Sequence, residues 1–241
     1  MKKFAAICFL LSLLMLGNVG GVNATMIFSD NDYTCGWENY ASAITNTNSF
    51  EIGMNLAVYA AGNKSNISFA QLNYGGGDWN TDMPTDMNNL QSYIKTQLPS
   101  ATVTWGTATF DTLGNYKLII MAGHNAFTIS TENTAKLKAW IDGGGVLFVD
   151  DCNNAAASPF LTSFNTLIFN IYGISNAGLT PLPANHSLFS SYYALDGSDF
   201  SYSYAGNGTE WNGISILSVA MKIIPTKQFR YRHPYSFLVP V

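Results

Sequence analysis

The chain is predicted to be an α/β domain built on a mostly parallel sheet with helices on both faces. Two observations carry this reading. Short apolar runs alternate with stretches of helical spacing, so strand and helix follow one another along the chain. Three of the runs also end in loops rich in chemically active residue types. Ile67–Asn73 leads into Tyr74-Gly75-Gly76-Gly77-Asp78-Trp79, Leu118–Ala122 into Gly123-His124-Asn125, and Val146–Val149 into Asp150-Asp151-Cys152-Asn153-Asn154. In an open parallel sheet, ligands sit beyond the carboxyl ends of the strands. Neighbouring parallel strands would therefore gather all three loops at one place.

The elements follow in order. Residues 1–24 read as a secretory leader. Lys2 and Lys3 precede the apolar run Phe4–Leu16, and Val22-Asn23-Ala24 supplies small residues before a mature start at Thr25. The run is short of the ~20 residues a membrane span needs, and no later stretch is long and apolar enough to cross a bilayer. An uncleaved anchor is the alternative. Residues 25–66 read as an N-terminal extension, weakly helical over Glu38–Phe50 and closed by the polar turn Gly62–Asn66, and either a first strand and helix or a cap. Ile67–Asn73 alternates apolar and small polar residues as a strand does. Pro84–Leu98 places Met87, Leu90, Tyr93, Ile94 and Leu98 at helical spacing, with Pro99 beyond its end. Thr102–Trp105 is a short β-branched run, and Tyr116–Met121 is a continuous apolar strand of the kind buried on both faces. Ser130–Ile141 is a helix with Ser130 as its N-cap and a glycine stop at Gly143–Gly145. Val146–Val149 is the next strand. Pro159–Phe169 reads as helix, Thr180–Pro183 as extended, and Ser190–Asn212 as a long loop or hairpin.

Composition narrows the function classes. With the leader removed, 9 of the 11 positive residues remain against 15 acids, and charged residues make up 11% of the chain while aromatics reach 14%. A chain this poor in basic residues has no face for a nucleic acid. Asn, Ser, Thr and Tyr provide its polarity, which suits an exported, hydrogen-bonding surface. Two cysteines remain, Cys35 and Cys152. They form either one disulfide in an oxidising compartment or two buried thiols, and spacing does not decide between these.

The segments LNYGGGDWN, IIMAGHNAF and LKAWIDGGGVLFVDDC, followed by LPANHSLF, resemble the bacterial family called domain of unknown function 4159, from about Ile67 to Ile216. The resemblance implies membership of the class I glutamine amidotransferase-like superfamily, hence a three-layer sandwich of flavodoxin-like type over residues 67–216. Active members of that superfamily carry a cysteine nucleophile on a sharp turn after a strand, with a histidine downstream. Here that turn reads Asp150-Asp151-Cys152, so acids stand where the nucleophile is expected and Cys152 comes late. The resemblance also places His186 near the same cleft. The tail at residues 217–241 departs from the family pattern and concentrates four of the mature positive charges between Lys222 and Arg232.

The candidate site is accordingly Gly76, Gly77, Asp78, Trp79, His124, Asp150 and Asp151 for ligand binding, with Asp151, Cys152 and His186 as catalytic candidates. The glycines either cradle an anion with backbone N–H groups or form a tight turn; the Lys-Ser/Thr of a nucleotide loop is missing. Asp78 either caps a helix, orients a histidine or meets a sugar hydroxyl beside Trp79. His124 is a base, a ligand or an anchor. Asp150 and Asp151 are adjacent, so an extended backbone points them to opposite sides. No cofactor is expected, and no metal-ligand spacing is present. The expected partner is a polar small molecule or a carbohydrate. A hydrolase using Cys152 with His186, or an Asp/His-bound metal, is the second hypothesis. A scaffold in an envelope assembly is the third.

Overall fold

The computed structural model describes residues 25–29, 33–38, 47–81, 83–152, 158–173, 180–181, 185–195 and 217–218. The leader, Asn153-Asn154, most of the Ser190–Asn212 segment and nearly all of the tail lie outside the described residues, as does part of the Glu38–Phe50 helix.

Five strands form an all-parallel sheet: β1 (Thr25–Ser29), β2 (Asn66–Leu72), β3 (Thr102–Ala108), β4 (Leu118–Gly123) and β5 (Val146–Asp151), in the order β3-β2-β4-β5-β1. Two short segments, β6 (Thr180–Pro181) and β7 (Leu217–Ser218), extend the sheet past β1, with β7 antiparallel to β1. The helices are α1 (Tyr33–Trp37), α2 (Thr47–Ala61), α3 (Thr85–Gln97), α4 (Thr131–Asp142) and α5 (Pro159–Tyr172). The segment read as an extension thus supplies a strand of the same sheet: Thr25 to Ser29 pair in register with Val146 to Asp150.

Strand periodicity divides the core in two. Ile67, Phe69, Leu118, Ile120, Val146 and Phe148 face one layer, where they meet Trp37 of α1, Leu56 of α2 and Leu90 of α3. Ala70, Leu72, Ile119, Met121, Leu147 and Val149 face the other, against Leu137 of α4 and Phe164 of α5. β4 and β5 are buried along their whole length, which explains their unbroken apolar runs. Side-chain caps start the two helices of the second layer. Ser130 Oγ accepts from Asn133 N ahead of α4, and Ser158 Oγ accepts from Leu161 N ahead of α5 with Pro159 at its first position. Gly173 ends α5 at φ 67°, a left-handed conformation suited to glycine.

The chain leaves β2 toward β3 through α3 on one face, and leaves β4 toward β5 through α4 on the other. Strand order therefore reverses between β2 and β4, and the crevice beyond their carboxyl ends is the topological switch point of the sheet.

Candidate functional site

Asp78 and His124 meet at that switch point. Asp78 lies in the loop after β2 and His124 directly after β4. Asp78 Oδ2 is 2.8 Å from His124 Nδ1 and also accepts from Thr81 Oγ1 at 3.1 Å. Its Oδ1 accepts the backbone N–H groups of His124 at 2.9 Å and Asn125 at 3.0 Å. Four hydrogen bonds fill the acceptor capacity of the carboxylate. These bonds let Asp78 orient both the His124 ring and the start of the loop after β4. Burial pushes its pKa up, but the backbone N–H groups of His124 and Asn125, helped by the His124 ring and Thr81, outweigh that and hold it below the usual carboxylate range. An ionised Asp78 can only accept, so Nδ1 of His124 is the donor in this contact. The His124 side chain is 34% exposed, so the ring reaches solvent beside the switch point.

The glycine loop is shaped by close approach. Asp78 itself has φ 55°, and Gly75 and Gly77 also have positive φ. A Cβ on Gly77 would sit 3.0 Å from Asn125 O and 3.0 Å from the Tyr74 ring, whereas one on Gly76 would meet nothing. Gly123 is tighter still, since a Cβ there would fall 2.4 Å from the Tyr74 hydroxyl and 2.7 Å from Gly77 O. The Tyr74 hydroxyl bridges the two loops, 2.8 Å from Ala122 O and 3.1 Å from Gly77 O. Burial, with the charges of Asp78 and Cys152 adding, raises its pKa and keeps it a neutral donor. Gln71 Nε2 donates to Trp79 O from below, and Trp79 lies half-buried on the rim beside exposed Gly76. The turn reading of the glycines is thus visible in these contacts.

Asp150 and Asp151 end β5 in register with Ala122 and Gly123, which brings them to the same edge of the sheet as the pair above. Both carboxylates are buried, and they point to opposite layers. Asp150 Oδ2 accepts from Thr34 N at 2.7 Å and Thr34 Oγ1 at 3.0 Å, which ties α1 to β5. Asp151 accepts from Ser158 Oγ, the cap of α5. Cys152 continues the ladder through its N–H to Gly123 O and turns its sulfur toward Thr34 Oγ1, at 3.5 Å.

His186 is placed elsewhere. Its ring lies 5.6 Å from that of Tyr59, near the C-terminal end of α2, and its Nδ1 accepts from Leu188 N. α2 ends just before β2 begins, so His186 sits by the edge where the strands start, at the far end from Cys152. Burial lowers its pKa. The structure does not bring Cys152 and His186 together as a nucleophile and base. Among the described residues, no group of three or more His, Cys, Asp or Glu is arranged to hold a metal ion.

Beyond His124 the chain borders a groove of about 270 Å³ between residues 126–129 and α5. Phe127 and Leu167 form its apolar floor, and Thr128, Thr162, Ser163, Thr166 and Asn170 bring hydroxyl and amide groups. Among the described residues no charged side chain lines it.

Several participants carried no sequence signal of their own. Thr34 lies in the N-terminal segment, and nothing local marks it as the partner of Asp150. Asp86, a third buried carboxylate at this end of the sheet, opens α3 and accepts from Met87 N. Ser158 was not singled out either; the Ser-Pro step ahead of α5 is the signal that could have named it as a cap, whereas nothing local marks its bond to Asp151.

An α/β domain with a histidine held by a carboxylate at the switch point defines the class. The chain matches the family described as Domain of unknown function (DUF4159) over residues 68–224 and belongs to it. No curated protein and no solved structure matches it.

Proposed function

We propose that the crevice between the β2 and β4 loops binds an uncharged polar ligand, such as a carbohydrate, with His124 as its anchor. One observation carries the reading: the Asp78–His124 pair sits at the switch point with Nδ1 turned to the carboxylate and the side chain partly exposed. The neighbouring groove supports the ligand class, because it offers hydroxyls and an amide over an apolar floor without charge. Trp79 on the rim gives an aromatic surface to such a ligand. Export through the leader at residues 1–24 belongs to the same proposal. So does a flavodoxin-like, amidotransferase-like ancestry. The order β3-β2-β4-β5 supports it, matching the first four places of the 2-1-3-4-5 order, with β1 in the fifth.

The same pair favours a second reading, a hydrolase in which His124 Nε2 takes a proton from an attacking water. Thermal-shift titration with mono- and oligosaccharides tests the first reading. At least one sugar should stabilise the wild type, and His124→Ala should abolish the response while folding normally. A sugar response unchanged in that variant, or none in the wild type, would count against it. Turnover of a chromogenic ester or glycoside that disappears in His124→Ala would favour the second reading.

A further inference from the structure

We propose that Cys35 and Cys152 are a cross-linking site: a thiol pair that closes to a disulfide and rivets α1 to the end of β5. The two residues come from segments far apart in sequence, Thr34 and Cys152 being 118 positions apart. Folding nevertheless brings them into one small buried cluster that, among the described residues, they share with Ala122, separate from both main cores. Both sulfurs belong to thiols in the structure, and each residue is only 8% exposed. The approach is already prepared by hydrogen bonds. Thr34, the residue before Cys35, is held to Asp150 through its N–H and hydroxyl, and its hydroxyl reaches Cys152 Sγ at 3.5 Å. These bonds hold α1 against the end of β5, where Cys152 lies.

The chemistry is thiol–disulfide exchange with a disulfide oxidant such as oxidised glutathione. One cysteine thiolate attacks a glutathione sulfur and expels a glutathione thiolate, which leaves a mixed disulfide. The second cysteine thiolate attacks the protein sulfur of that bond and expels the other glutathione. Two electrons and two protons pass from the cysteine pair to glutathione, and one S–S bond forms in the protein. Because the sulfurs are nearly buried, exchange proceeds during folding more readily than on the folded chain. The loop enclosed is long, so the bond restricts the unfolded chain strongly.

The test refolds the full chain in a glutathione redox buffer, blocks remaining thiols with N-ethylmaleimide under denaturing conditions, and maps peptides without reduction. The expected result is a single species in which the Cys35 and Cys152 peptides are joined, with Cys8 appearing in its own peptide. Its Tm should fall by about 5–15 °C on reduction. Cys35→Ser and Cys152→Ser should each remove that shift. Recovery of both cysteines as maleimide adducts in folded, unreduced protein would overturn the proposal, as would either being found bonded to Cys8 or to glutathione. The mapping is made on the unaltered chain, so the outcome does not depend on either variant folding.

Discussion

Asp78 grips His124 at two points: one carboxylate oxygen lies 2.8 Å from Nδ1 of the ring, and the other accepts the backbone N–H of the same residue at 2.9 Å. Ring orientation and loop position are thus set by a single side chain. Asp78→Ala removes all four acceptor bonds and is expected to cost about 2–3 kcal/mol in urea unfolding. Asp78→Asn keeps an acceptor oxygen, and asparagine tolerates the positive φ, so it should cost clearly less. Nitrogen NMR should find His124 with its hydrogen on Nδ1 in the wild type and mixed tautomers in the alanine variant.

Acid should weaken this contact in a defined direction. The folded pKa of Asp78 lies below the ordinary carboxylate value, so its contribution to stability is complete above that value and is lost as pH falls through the lower folded one. The difference in unfolding free energy between wild type and Asp78→Asn should be flat above about pH 5 and shrink below about pH 4. A difference that grows on acidification would contradict the assignment.

The glycine loop separates into tolerant and intolerant positions. Gly76→Ala meets open space and should change stability by less than about 0.5 kcal/mol. Gly123→Ala drives a methyl group into the Tyr74 hydroxyl and Gly77 O, and should cost about 3 kcal/mol. Thermal melts of both variants check the contrast, and the His124 NMR signature should be lost only in the second.

The carboxylates that end β5 are predicted to act structurally. Ser158→Ala removes the partner of Asp151 and the cap of α5 together, and is expected to cost about 1–2 kcal/mol or somewhat more. Thr34→Val takes one donor from Asp150 but leaves the backbone N–H, and should cost about 1–2 kcal/mol. Denaturant unfolding measures both, and hydrogen exchange should show the first loosening α5 and the second α1.

Much of the fold was legible because local pattern and burial agree. The helix predicted over Pro84–Leu98 appears as Thr85–Gln97, and the run at Val146–Val149 appears as a fully buried strand that continues through Asp151. The extra two residues stay in the strand because Thr34 and Ser158 satisfy their carboxylates. The Asp78 and His124 loops were legible from the glycines and polar residues that follow apolar runs. The roles of the acids were not. Asp150 and Asp151 read as site residues, but their bonds to Thr34 and Ser158 carry no local signal, and Thr34 is 116 positions away from Asp150. His186 shows the same gap: its place is decided by packing against Tyr59 of α2, a distant element that no nearby pattern encodes.

The place of β1 has a consequence for how the chain matures. It is synthesised well before its parallel neighbour β5, whose last residue is Asp151. At translation speeds of about 5–20 residues per second, Met26, Ile27 and Phe28 wait on the order of ten seconds for the strand they pair with. During that interval an apolar stretch stands uncovered on the nascent polypeptide, open to chaperones.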